Sequence, residues 1–176
     1  MSWYLNSIGR YNEAEDGATI SANIRTSILG ADHPDTLDSM AILASTYSNQ
    51  GRWKEAEELQ VAVVEARTRV LGQEHPHTLT NMNNLAFTYL KQGRWKEAEE
   101  LQMAVLETRK RVLGQEHPDT LTSMANLAHT IYGLGRSQDA ITMMTDALVH
   151  QTAKLGINHP DTKASQRTLR DWNQVL

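Results

Sequence analysis

Seven histidines and two glutamate-rich runs are the residues of this chain with the widest chemical reach. His33, His75, His117 and His159 recur every 42 residues, each followed by proline, and a ladder of imidazoles invites a metal ion. Rungs on successive helical units, however, stand at least one interhelical distance apart, ~8 to 10 Å, while metal–imidazole bonds are ~2 Å long. His75 and His77 flank Pro76 as a weak chelating pair with no acidic partner at useful spacing. Glu55, Glu57 and Glu58 repeat as Glu97, Glu99 and Glu100 with lysines interleaved, so they share one exposed environment. Acid and base catalysis needs carboxylates in unlike environments that separate their pKa values. There is no glycine-rich phosphate loop, no serine nucleophile elbow and no cysteine. The residues therefore predict no metal site, no cofactor and no enzymatic activity.

What the histidines punctuate is a repeat. The phrase that opens at Leu29, Gly30, His33, Pro34 and Thr36 returns at Leu71, Leu113 and Leu155, and a Gly-Arg phrase falls at Gly9, Gly51, Gly93 and Gly135. A fixed period between 20 and 50 residues marks a solenoid. Within one period, Leu79, Met82, Leu85, Ala86 and Tyr89 draw an apolar stripe at helical spacing, predicting helix A over residues 76–92. Proline at the first helical position makes His75 the N-cap, and Asp35, Asp119 and Asp161 place negative charge on the positive end of the helix dipole. After Gly93, residues 94–113 put Trp95, Ala98, Leu101, Val105, Leu106, Val112 and Leu113 on one face of a longer helix B. Ala44, Ala86 and Ala128 on A helices, and Ala14, Ala56, Ala98 and Ala140 on B helices, mark close helix approach. Lys96 with Glu100 and Glu107 with Arg111 describe a solvated outer face.

The series Asn84, Leu85, Ala86, Tyr89, Gly93, Trp95 and Ala98, spread across two antiparallel helices, resembles the tetratricopeptide repeat. That family's usual unit has 34 residues; the eight extra here lengthen helix B by about two turns at ~3.6 residues per turn. The longer unit with its Leu-Gly-x-x-His-Pro linker is similar to the repeats of kinesin light chains. It is also similar to the C-terminal arrays on fungal and bacterial nucleotide-binding signalling receptors. Residues 51–80 and 93–122 differ at five of 30 positions, a sign of duplication that leans the resemblance toward the receptor arrays. The resemblance implies an all-α fold, a right-handed superhelix of antiparallel helix pairs. Its units would be a truncated first repeat over residues 1–30, full repeats over 31–72, 73–114 and 115–156, and a capping helix over 157–176.

Composition fits a protein-binding array. The net charge of −4 with both signs interleaved offers no basic face for nucleic acid, and no stretch approaches the ~20 apolar residues of a membrane span. The first residues carry no basic segment leading into an apolar run, and the lack of cysteine suits a reducing compartment, so a cytoplasmic location is expected. In the final helix Lys163, Gln166 and Arg170 replace Leu121, Met124 and Ala128, exchanges suited to a water-facing cap. The first repeat instead begins inside its helix A, as the end of a longer protein or a truncated gene would. Trp3, Tyr4 and Leu5 there form an expected self-association face that stacks copies end to end.

In this family the A helices line a concave groove, and the matching positions here include Asp38, Ala41, Ser45, Ser48 and Asn49, then Thr80, Asn83, Phe87, Leu90 and Lys91. Thr122, Ala125, His129, Tyr132 and Gly133 follow, with Arg167 and Asp171 closing the row. Asn84 and Asn126 stand where the family holds the backbone of an extended peptide. Phe87, Leu90, His129 and Tyr132 vary between otherwise similar repeats, which suggests a tuned surface. Helix-to-helix packing by Phe87 and Leu90, and hydrogen bonding inside the array by the two asparagines, are the competing readings. Of the lysine, arginine and asparagine set by which co-chaperone members grip a C-terminal carboxylate, only Asn84 is present. Lys91 and Arg167 supply too little charge for the acidic, tryptophan-bearing peptides of kinesin light chains. The expected partner is a protein or peptide segment anchored by one or two apolar side chains.

Overall fold

The computed structural model describes the backbone of residues 2–175 and the side chains of residues 13–174. Among the described residues there are eight helices and no strand: α1 (Ser2–Leu29), α2 (Pro34–Asn49), α3 (Trp53–Leu71), α4 (Pro76–Lys91), α5 (Trp95–Leu113), α6 (Pro118–Gly133), α7 (Ser137–Leu155) and α8 (Pro160–Val175). The chain divides into two compact units, residues 1–92 with α1 to α4 and residues 93–176 with α5 to α8. Within each unit every helix packs on the next one along the chain, joined by tight turns that make neighbours antiparallel.

The recurring phrase builds the turn before each A helix. Gly72 sits at φ 94°, a backbone that a side chain would strain, and its carbonyl accepts a 2.9 Å hydrogen bond from the hydroxyl of buried Thr78. Thr120 and Gly114 repeat that bond at 2.9 Å. His33, His75, His117 and His159 each cap a helix: Nδ1 accepts from the backbone N–H two residues on, at 3.2 Å. The imidazole nitrogen suited to a metal is thereby engaged in satisfying an orphan helix donor. Among the described residues no three of His, Asp or Glu converge on a metal-sized site.

Packing follows the predicted stripes in the main. Leu79, Met82, Leu85 and Ala86 are buried on α4, and Ala44, Ala56, Ala86, Ala98, Ala128 and Ala140 are fully enclosed. The residues 93–176 unit centres on Leu106, Leu127, Ala128, Ile131, Ala140, Met144, Leu169 and Trp172.

Three expectations need correction. Trp95 is not a core residue of α5: it is 37% exposed and lays its ring across Gly133 at the end of α6, where an added Cβ would stand 2.1 Å from Cζ3. Val112, also placed on that face, is exposed in the last turn of α5. The third is Ala14, which lies open: α1 runs unbroken through Gly9, so no separate A helix folds back onto it.

Candidate functional site

Charged side chains tie consecutive helix pairs together and so set the spacing of the A helices. Glu15 of α1 accepts from Arg52 Nη1 at 2.7 Å and from Gln50 Nε2 at 2.9 Å. These two bonds, Arg52 first, hold the Glu15 carboxyl below the usual carboxylate range. One period later Gln92 donates to Glu57 at 2.8 Å, and in the other unit Arg136 donates to Glu99 at 2.6 Å. Glutamates that sequence reading assigned to a solvated face are thus partly structural.

A second ladder escaped sequence reading altogether. Arg25, Arg67, Arg109 and Gln151 share one position of the 42-residue period on the B helices, pointing inward under the A helices. Arg25 Nη1 donates to Ser39 Oγ at 2.8 Å and to the Asp35 carbonyl at 3.0 Å. Arg109 repeats this with Ser123 Oγ at 2.9 Å and the Asp119 carbonyl at 3.0 Å. Burial pulls the Arg109 guanidinium below its ordinary pKa, but arginine stays protonated. Where Asn81 replaces the serine, Arg67 turns to the Asp38 carboxylate instead. Asp38, a predicted groove residue, is therefore engaged in an ion pair. The signal was available as the recurrence of a charged residue at one helical phase.

In the residues 1–92 unit, the predicted surface residues lie along α2 and α4. Asn49, Asn84, Phe87 and Lys91 are exposed; Ser45, Asn83 and Leu90 are half-buried. Phe87 is 49% exposed, with Lys91 Nζ 4.9 Å from its ring centroid, so it does not fold away into the core. Exposed Ile42 on α2 adds apolar surface that sequence reading passed over. Ser45 donates back to the Ala41 carbonyl at 2.9 Å. Ser48 is buried and shares a 3.2 Å hydrogen bond with Thr88, which removes it from the surface.

In the residues 93–176 unit, Asn126 and His129 are exposed on α6 and Tyr132 is half-buried. The Tyr132 ring stacks flat on Trp172 of α8, 4.2 Å between centroids and 3° apart, and His129 meets the same indole edge-on at 5.2 Å. Partial burial against that ring pushes the His129 pKa down, favouring the neutral imidazole. Gly133, the last predicted position on α6, is exposed, with the Trp95 ring standing where its Cβ would be. Between α6 and α8 a recess of about 130 Å³ is lined by Thr122, Ala125, Asn126, His129, Asp161, Ala164 and Ser165, with Gln151 of α7 beneath. Arg167 and Asp171 are exposed on α8. Trp3, Tyr4 and Leu5 lie outside the described side chains.

No helix among the described residues is long and apolar enough to cross a membrane. The family model described as tetratricopeptide repeat matches residues 4–68, 40–102 and 78–149. A kinesin light chain-like protein of Podosopora anserina with nearly identical TPR-like repeats is 32% identical in its solved structure. That match covers 96% of this chain and 80% of that one, with a TM-score of 0.79. A single-substitution form of the same Podosopora anserina protein matches at 32% identity, 96% and 79% coverage, and a TM-score of 0.80. BtubC (BKLC) from P. vanneervenii shares the fold at 21% identity, TM-score 0.80, covering 96% of this chain and 67% of its own. No curated protein matches the sequence.

Proposed function

The chain belongs to the tetratricopeptide repeat family, a solenoid of repeating helix pairs, and from that premise we propose that its A-helix faces bind a protein or peptide segment without catalysis. Members of this family are in general protein-interaction scaffolds. The single observation that carries the reading here is Phe87, a large apolar ring left half in water on α4 and flanked by Lys91, Asn84 and Asn83. An exposed ring among polar neighbours is how an interaction surface anchors a partner while staying soluble alone. Asn84 is free to orient an extended backbone, and Leu90 with Ile42 extends the apolar footing. On the other unit Asn126 and His129 present the corresponding polar surface, with Tyr132 fixing Trp172 beneath. The setting we assign is cytoplasmic, as one arm of a larger signalling receptor, in keeping with a cysteine-free chain of near-identical repeats.

Random-peptide display on the full chain tests this. Recovered ligands should lose at least tenfold in affinity on Phe87→Ala and Asn84→Ala while circular dichroism is unchanged; ligands indifferent to both substitutions would overturn it.

A second reading, self-association through the first repeat, is favoured by Ile20, Ile24 and Ile28, which expose 58%, 51% and 75% of their surface on successive turns of α1. The occupant on this reading is a second copy of the chain. Sedimentation across a hundredfold concentration range should show association that Ile24→Glu reverses; a monomer throughout removes the idea.

A further inference from the structure

The recess between α6 and α8 has a history written in the repeat. At the equivalent place in two other repeats, an arginine from the B helix fills the space under the A helix. Its Nη1 donates at once to a backbone carbonyl and a serine hydroxyl: Arg25 to Asp35 and Ser39, Arg109 to Asp119 and Ser123. The fourth repeat keeps the acceptors. Asp161 and Ser165 stand 42 residues after Asp119 and Ser123, and both line the recess. It lacks the arginine, because Gln151 occupies that position with a shorter side chain.

Two independent observations show that glutamine does not replace what arginine did. The about 130 Å³ of open space is roughly the share of four water molecules, room for a planar guanidinium. Gln151 is also 1% exposed, and its Oε1 is buried with no hydrogen-bond partner. A buried acceptor left unpaired is costly, and natural structures keep few of them. The recess thus combines the Ser165 hydroxyl, the Gln151 carbonyl oxygen and the Asp161 residue with no cation in its lining, since the one imidazole there, His129, is held toward its neutral form.

We propose that this recess is a socket for the side chain of an arginine on a partner protein, which supplies in trans the guanidinium that Arg25 and Arg109 supply in cis. The forked donor of guanidinium suits the acceptor set: one nitrogen takes the Asp161 carbonyl and Ser165 Oγ, and another reaches Gln151 Oε1. A lysine ammonium, compact and strongly hydrated, satisfies fewer of these at once. The recess opens on α6 and α8 beside Asn126 and His129, so the socket deepens the A-helix reading, on which it rests, by naming one residue type the bound segment carries.

The test is titration of the isotope-labelled full chain with acetyl-Gly-Arg-Gly-amide, against the same tripeptide with lysine or citrulline, read as amide shifts in α6 and α8. Expected are saturable shifts at Ser165, Asp161 and the Gln151 side-chain amide, with arginine at least fivefold tighter than either analogue. Gln151→Arg fills the socket from within: the melting temperature should hold or rise while the shifts vanish. Ser165→Ala, a milder change, should weaken binding severalfold with the fold intact. Equal affinity for lysine or citrulline, undiminished binding to Gln151→Arg, or no response to arginine at tens of millimolar would each overturn the proposal. The two readings fail separately. Display ligands sensitive to Phe87→Ala but lacking arginine leave the A-helix reading standing and remove the socket; arginine binding with no display ligand does the reverse.

Discussion

A hydrogen atom is all that Trp95 tolerates at residue 133. Its ring covers the end of α6 so closely that a methyl group there meets Cζ3, Cη2 and Cε3 at 2.1 to 2.7 Å. Gly133→Ala should therefore destabilise the protein by about 1 to 3 kcal/mol through overpacking, checked by urea denaturation against wild type. Neither half of this pair is legible alone, since tryptophan reads as core and glycine at a helix end reads as a cap. His129 carries a second residue-scale prediction. Its folded-state pKa is lowered by burial, so between that value and the ordinary ~6.5 the unfolded chain binds a proton that the folded chain refuses. Stability should be greatest above pH ~6.5 and fall as pH drops through it. His129→Gln should flatten that part of a pH series of melting curves.

Helices were the most legible level. The apolar stripe, the proline at the first position and the glycine beyond the last gave α4 and α5 to within a residue, because period and caps act locally. The caps are individually measurable: His75→Ala removes the Nδ1 acceptor at α4 and should cost about 1 kcal/mol in chemical denaturation. Ala86 is fully enclosed, so Ala86→Leu should cost about 1 to 3 kcal/mol, with retained stability signifying a helix register different from this one. What local reasoning missed depended on partners far along the chain. Buried Arg67 and Arg109 looked like ordinary charges on a charged helix, and only their repeat phase against Ser39, Asn81 and Ser123 distinguishes them. The unbroken course of α1 through Gly9 was likewise invisible, since the same Gly-Arg phrase lies in a turn at Gly51, Gly93 and Gly135.

At the scale of the molecule, the last helix is more than a polar lid. Trp172 and Leu169 enter the core of the residues 93–176 unit while Lys163 and Arg170 face water. Trp172→Ala should cost about 3 to 5 kcal/mol, and hydrogen exchange should speed up in α6, α7 and α8. The exposure of Lys163 and Arg170 on α8 was legible in the polar exchanges along the helix; its aromatic contribution was not, because no earlier repeat has a tryptophan at that phase to compare.

The turns before the A helices have a further consequence. Gly30, Gly72, Gly114 and Gly156 adopt φ of 93°, 94°, 92° and 87°, so the chain leaves every long helix in nearly the same direction. A joint this uniform is interchangeable. When gene copies misalign and exchange in phase with the 42-residue period, the encoded chain gains or loses whole helix pairs, and every new junction is one that already folds. Length can then drift between generations without passing through a broken protein, and the residues of the exposed A-helix faces are reshuffled at each exchange.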